Sequence, residues 1–279
     1  MTDYADAARA SYDTMAREYT ARFPDWSTDL PLEKALLTAF AELVQTGGGR
    51  GGGTGPAADG GSGRGGGTAP VADAGSGRGG ATAPVADAGS GRGGATAPVA
   101  DAGSGRGGGT APVADVGSGP GGLTARLHAL GLPVFGVDVS PRMVALAREA
   151  YPDLRFHVGS MTSLDLPPAS LSGLTALYST IHVPDEALPT VFAEFHRVLL
   201  PGAPALLAFQ TSSSPDRTDH LHLSERFGHE IDLDYWFRPV NTIAGLLEEA
   251  GLRVWARVER EPQGEETRGR GYVVARKDG

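Results

Sequence analysis

The sequence predicts an α/β fold: a doubly wound, mostly parallel seven-stranded sheet with helices on both faces and an antiparallel pair formed by its last two strands. Three observations predict it. Short apolar runs of strand length alternate with segments of helical periodicity along most of the chain, the pattern of a parallel sheet covered on both sides. One apolar run, starting at Val113, passes through an aspartate into the glycine turn Gly117-Ser-Gly-Pro-Gly121 and then into a helix. The final two runs, Arg253 to Glu259 and Tyr272 to Ala275, have only the polar turn Pro262 to Arg270 in that connection, so without a crossover helix they pair antiparallel.

Taken in order, Tyr4 to Ala21 is alanine-rich and spaces Tyr12, Met15, Ala16 and Tyr19 by three and four, on one helical face. Leu32 to Val44 sets Leu36, Phe40, Leu43 and Val44 on one stripe, with Glu33, Lys34 and Glu42 away from most of it. Gly47 ends that helix. After Val113 the helix Leu123 to Leu130 repeats leucine at 123, 127 and 130 and stops at Gly131. Pro133 to Asp138 is a buried strand ending in a carboxylate. Ser140-Pro141 supplies an N-cap and a proline at the first helical position for Arg142 to Ala150. Leu154 to Val158, Leu174 to Ser179 and Ala205 to Gln210 read as further strands, Leu188 to Leu199 and Thr242 to Ala250 as helices.

The Val113 strand is the last of a series. The same fourteen-residue unit starts at Thr54, Thr68, Thr82, Thr96 and Thr110, with a half copy at Gly47 to Gly53. Thirty of the 42 glycines lie between Gly47 and Gly122, and each T-A-P-V-A-D segment has too few apolar atoms to offset the entropy of ordering the glycines around it. Gly47 to Gly109 therefore reads as an inserted flexible excursion in a single domain spanning 1–279. Excising its 63 residues leaves 216, a suitable length for one α/β domain. Only the fifth copy runs into a helix, and only it carries Val116, which suits a buried strand, and Pro120, which fixes a turn. The fifth copy is the one expected to work.

Composition narrows the function. The chain has no cysteine, so it offers neither a disulfide framework nor a thiolate metal site, and no other metal-ligand spacing is met. It lacks a signal-peptide pattern at its start and any run of the roughly 18–20 apolar residues that cross a bilayer. A cytoplasmic protein is expected. With a net charge of −9 and no basic cluster outside the insert, nucleic acid and membrane are not expected partners. A small molecule is, with the chain a monomer or homodimer.

In a sheet of this kind the ligand sits beyond the carboxyl ends of the strands, where Gly117, Gly119, Gly121 and Asp138 meet. Glycines let a ligand approach the backbone, and the helix that follows offers free N–H groups. Asp138 stands seventeen residues past Gly121, a spacing that delivers a carboxylate to the two hydroxyls of a ribose. Gly117, Gly119 and Gly122 also satisfy the dinucleotide pattern G-x-G-x-x-G, which keeps a nicotinamide oxidoreductase in view. Asp115 argues against a pyrophosphate and for a cationic ammonium group. Ribose, ammonium and carboxylate together describe S-adenosylmethionine.

Six short motifs in order, YDTMAREY (12–19), VADVGSGPG (113–121), VFGVDVSPRMVALAR (134–148), VGSMTSLDLP (158–167), LYSTIHVP (177–184) and FHRVLLPGAPALLAF (195–209), resemble the class I S-adenosylmethionine-dependent methyltransferases. The small-molecule bacterial branch is the nearest part of that class, and the resemblance covers the chain except Gly47 to Gly109. It implies a Rossmann-like fold and a small-molecule methyl acceptor attacked at O, N or C. It further implies that Gly117, Ser118, Gly119 and Gly121 line the methionine and ribose, that Asp138 and Val139 meet the ribose, and that Met143 packs near the adenine. Ser160 and Met161 would border the adenine, Tyr178 and Ser179 would begin the wall between cofactor and acceptor, and Tyr12 and Tyr19 would close over the cofactor. Two positions depart from the family pattern: Ser160 where many members are acidic, and Ser172 where many have aspartate.

His182, a few residues past the fourth strand, is the candidate general base, against the alternative of a histidine held structurally. Ser212 to Arg238, with His220, His222, His229 and Trp236, reads as a loop over the site, either a substrate lid or a plain surface loop. Tyr235 to Phe237 reads as a substrate wall or as core, and Asp185 and Glu186 as helix-opening acids. A non-catalytic S-adenosylmethionine-binding protein, impaired by the insert, is the remaining alternative.

Overall fold

Strands alternate with helices from Val113 onward. In the computed structural model, residues 4–23, 30–47 and 111–279 are described. The tandem repeats ahead of the fifth copy lie outside the described residues. The helices are α1 (Tyr4–Arg22), α2 (Pro31–Gly47), α3 (Gly122–Ala129), α4 (Pro141–Ala150), α5 (Leu188–Val198) and α6 (Val240–Glu249). The strands are β1 (Val113–Val116), β2 (Val134–Asp138), β3 (Arg155–Val158), β4 (Gly173–Leu177), β5 (Pro204–Gln210), β6 (Asp219–Arg226), β7 (His229–Phe237), β8 (Leu252–Arg260) and β9 (Arg270–Lys277).

Seven strands form one sheet in the order β3-β2-β1-β4-β5-β9-β8. The first five are parallel, and β9 pairs antiparallel with both β5 and β8. From β1 the chain moves outward to β2 and β3, then returns to β4 on the other side. The crevice at the ends of β1 and β4 is therefore the switch point at which such sheets bind ligands. Every residue of β1 and β4 is buried. Ala114 and Val116 pack on one face with residues of α1, α5 and α6, while Val113 packs on the other with α2 and α3. This accounts for the unbroken apolar runs: both faces are covered.

Two expectations are corrected. Ser212 to Arg238 is not a loop; most of it is a β-hairpin, β6–β7, turned at Phe227 and Gly228, both with positive φ (56° and 82°). Ile231, Leu233, Tyr235 and Phe237 alternate as buried residues with Glu230, Asp232, Asp234 and Trp236, which are exposed or half-buried. This period-2 signal is present in the sequence. Glu33 is not on the wet side of α2 either. It is buried, accepting from the Tyr272 hydroxyl and pairing with Arg260 at 3.0 Å. The buried stripe runs Glu33, Leu37, Phe40, Ala41, Val44, one position round from the leucines that draw the eye.

Candidate active site

Beyond the end of β1 the chain makes a turn open only to glycine at its key positions. Gly117 has φ +79°, and a Cβ there would fall 2.2 Å from the Ser179 Cβ. The loop is thus pressed against the end of β4, where the Ser179 hydroxyl donates to the Val116 carbonyl at 2.9 Å. Gly119, with φ +52°, faces open space, with nothing within 4 Å of its would-be Cβ. It lines a cavity of about 430 Å³ bounded by the glycine loop, α1, the end of β4 and the hairpin, a volume that suits a small-molecule site.

Asp138, ending β2, is oriented by two backbone donors. Its Oδ2 accepts from Gly119 N at 2.8 Å and its Oδ1 from Ser140 N at 2.9 Å. A carboxylate has about four acceptor positions, so two remain for a pair of hydroxyls. Burial pushes the Asp138 carboxyl up to about 6, and those two hydrogen bonds pull against the rise. The Ser118 hydroxyl, buried on the cavity wall, has no partner among the described residues. A cradle of glycine backbone, a positioned carboxylate and an unpartnered hydroxyl fit the amino-acid and ribose parts of S-adenosylmethionine.

Helix α1 covers this cradle. Asp13 Oδ1 accepts from the Ser140 hydroxyl at 2.6 Å and from Arg142 N at 3.0 Å, fastening α1 to the N-terminus of α4. Ser140 Oγ in turn accepts from Met143 N, as its N-cap position predicts. On the hairpin side, Ser11 Oγ both donates to the Asp232 carbonyl and accepts from its N–H. No local spacing announces Asp13 or Ser11, because their partners lie more than a hundred residues away.

His182 sits in the 3₁₀ turn Thr180–His182 and is buried. Its Nδ1 lies 2.8 Å from the Asp234 carbonyl oxygen and its Nε2 lies 2.7 Å from the Tyr12 hydroxyl. A carbonyl only accepts, so Nδ1 carries the proton and Nε2 accepts from Tyr12. Burial pulls the His182 pKa down to about 4, so the ring is neutral at ordinary pH. Its ring packs against Tyr12 and Tyr235 at centroid distances of 5.3 and 4.6 Å. The turn is held by the buried Arg238, which donates to Asp185 at 2.6 Å and to the carbonyls of Val183 and Thr180. Asp185 therefore does more than open a helix.

Most of the expected residues meet at one cavity. Tyr12, Tyr19, Ser118, Gly119, Asp138 and Met143 line it, as do Gly117, Val139, Ser160, Met161, Tyr178, Ser179 and His182. Asp115 does not. Its carboxylate points into the sheet, with Thr124 donating to Oδ2 at 2.7 Å and Thr175 to Oδ1 at 2.9 Å, so it ties β1 to α3 and β4. Gly121 is also off the cavity; its backbone, at φ +92°, passes so close to Phe156 that a Cβ would lie 2.7 Å from the ring. Arg226, Gln210, Glu266 and Arg270 line the cavity without having been singled out. His220 and His222 both reach Asp234, at 2.8 and 3.1 Å, away from the cavity lining. Among the described residues no group of three or more metal-ligating side chains could hold a metal ion, and no helix is long and apolar enough to cross a membrane.

Comparison with known proteins agrees with this geometry. Residues 113–202 match a protein family described as a methyltransferase domain. A demethylmenaquinone methyltransferase of Chlorobaculum parvum is 36% identical over 77 residues, 28% of this chain and 31% of the relative; its counterpart in Chlorobaculum tepidum is 35% identical over the same length. The chain thus spans about a third of the length of the curated relatives it matches. The solved structure of a SAM-dependent methyltransferase from Methanosarcina mazei superposes with a TM-score of 0.54 at 18% identity, covering 60% of this chain and 92% of that one; this likeness shows the fold. Residues 113–202 thus match a methyltransferase domain, set in a sheet whose fold is the Rossmann-like one of the Methanosarcina structure.

Proposed function

We propose that this chain transfers the methyl group of S-adenosylmethionine to an O, N or C atom of a small molecule held between Tyr178, His182 and the β6–β7 hairpin. The observation that carries the reading is Asp138, held by Gly119 N and Ser140 N at the switch point with its remaining acceptor positions facing the cavity. S-adenosylmethionine held by Gly117, Ser118, Gly119 and Asp138 would supply an electrophilic methyl carbon for the acceptor's lone pair, the carbon–sulfur electron pair going to sulfur to give S-adenosylhomocysteine. The chain's own residues position and exclude. Tyr12 and Tyr19 shut the cradle from α1, keeping water from the sulfonium. An acceptor proton passes to the Tyr12 oxygen as the Tyr12 proton moves to His182 Nε2, with the Nδ1 proton kept on the ring and donated to the Asp234 carbonyl. His182 thus acts through Tyr12 rather than on the acceptor directly.

The demethylmenaquinone named for the curated relatives is not carried over, because the matched stretch is a minority of both chains. Titration calorimetry with S-adenosylhomocysteine and with NAD tests the reading. Heat is expected with the former and none with the latter. Asp138→Ala should weaken S-adenosylhomocysteine by about 100-fold, the worth of two hydrogen bonds to a charged group. Absence of binding by the unaltered chain would sink the proposal.

A further inference from the structure

Charge in the cavity is unevenly paired. Arg270 faces Glu266 at 3.1 Å, Glu266 also takes Arg260 at 2.5 Å, and Arg260 reaches Glu33 at 3.0 Å, so these four side chains cancel. Asp138 stands against backbone donors. Arg226, the last residue of β6, lines the same cavity half-buried and has no carboxylate partner among the described residues. Its Nη1 donates to the Tyr235 hydroxyl, and its guanidinium lies 4.9 Å from the Phe227 ring centroid. A guanidinium has five N–H donors in a planar fork suited to a carboxylate, and one is occupied here. Glu18 faces His229 at 3.3 Å and Asp234 takes His220 and His222, while Glu225 and Glu230 of the hairpin are exposed and do not line the cavity.

A charge count then decides what kind of molecule belongs beside it. Asp138 contributes one negative charge, Arg226 one positive, and a bound methyl donor brings a sulfonium, leaving one positive charge in surplus in a cavity walled by aromatic rings. A charge partly withdrawn from water gains from a partner. Resting on the methyltransferase reading above, we propose that Arg226 recognises an anionic group on the acceptor, and that the acceptors are aromatic acids. The aromatic part follows from the rings of Tyr12, Tyr19, Phe23, Tyr178 and Tyr235 on the cavity wall. Arg226 is placed on the acceptor side by Tyr235, to which it donates and whose ring packs against His182.

The same fork would also suit the carboxylate of the cofactor's amino-acid arm, and the test separates the two sources. Calorimetry on the full chain uses S-adenosylhomocysteine, 5′-methylthioadenosine, which lacks that arm, and acid–amide pairs such as benzoate with benzamide and 4-hydroxybenzoate with 4-hydroxybenzamide. With S-adenosylhomocysteine saturating, the acids should bind about tenfold or more tightly than their amides, the worth of one charge-assisted pair. Arg226→Met should erase the preference and Arg226→Lys retain part of it, both leaving S-adenosylhomocysteine affinity within about twofold; that affinity also reports that the variants are folded. An unaltered chain with no acid preference, or an Arg226→Met chain that keeps it, overturns the proposal. So does a loss of S-adenosylhomocysteine affinity in Arg226→Met with 5′-methylthioadenosine unaffected, which would assign the arginine to the cofactor and leave methyl transfer standing. If S-adenosylhomocysteine fails to bind the unaltered chain, methyl transfer is what fails, and the acid preference measured without cofactor still decides the role of Arg226.

Discussion

Asp115, next to last in β1, and Asp138, last in the neighbouring β2, are both raised to about 6 by burial, yet they do different work. Asp138 lines the cavity; Asp115 is locked between Thr124 and Thr175, whose hydroxyls pull against its rise. Between its unfolded value of 3.8 and about 6 the folded chain holds a proton on Asp115 that the unfolded chain releases. Stability from this group is therefore fully present below the unfolded value and is lost as pH rises through the folded one. Asparagine can accept from one threonine and donate to the other without carrying charge. Asp115→Asn should match the unaltered chain near pH 4 and exceed it above pH 7 by on the order of 2 kcal/mol; urea unfolding at both pH values checks this, and a gap independent of pH would refute it. The sequence places a carboxylate two residues before the first glycine, which invites an ammonium partner. It does not show that hydroxyls nine and sixty residues onward have already claimed both oxygens.

At the scale of elements, α1 brings chemistry to a site built by the sheet. Its length and apolar face are legible in the spacing of Tyr12, Met15, Ala16 and Tyr19. Its docking is not, because that rests on Asp13 meeting the α4 N-terminus and Ser11 meeting β7. The docking sets Tyr12 against His182, so a helix from the start of the chain meets the turn after β4 at the hydrogen bond on which the proposed proton transfer depends. Tyr12→Phe keeps the ring that packs on Tyr19 and His182 but removes the hydroxyl. Turnover should fall by about 100-fold, within the range of general acid–base effects, while S-adenosylhomocysteine affinity changes by less than about threefold, since one neutral hydrogen bond is all that is lost. Single-turnover rates and calorimetry separate the two, and equal losses in both would assign Tyr12 to cofactor binding alone. The hairpin shows the opposite case: its alternation is legible, but the histidines and the run Tyr235 to Phe237 suggest a lid before they suggest strands.

For the whole molecule, the parallel sheet follows from its alternating runs, and the phase of the tandem repeats explains why one copy is used. Asp115 receives Thr124, nine residues on, and the repeats reproduce that spacing, since Asp101 is followed nine residues later by Thr110. The polar pair therefore does not favour the fifth copy. The positions around it do. Where α3 has Leu123 and Leu127, both buried, the fourth copy would place Gly109 and Val113, and where α3 has Arg126 it would place Pro112 inside the helix. Proline there costs about 3 kcal/mol and replacing a buried leucine by a much smaller residue about 2–5 kcal/mol, so the fifth copy prevails by a margin that mass action among five copies cannot reverse. Leu130, expected in the same buried stripe, is only half-buried and closes the helix; two leucines and the missing proline suffice. Replacing residues 48–109 by a linker of about eight residues shortens the connection through three halvings of its length, which should raise stability by about 2 kcal/mol. S-adenosylhomocysteine affinity should stay within about twofold, because the cradle is made from residues after Val113. Denaturant unfolding and calorimetry on the shortened chain measure both quantities, and a tenfold loss of affinity would place the repeats in the site.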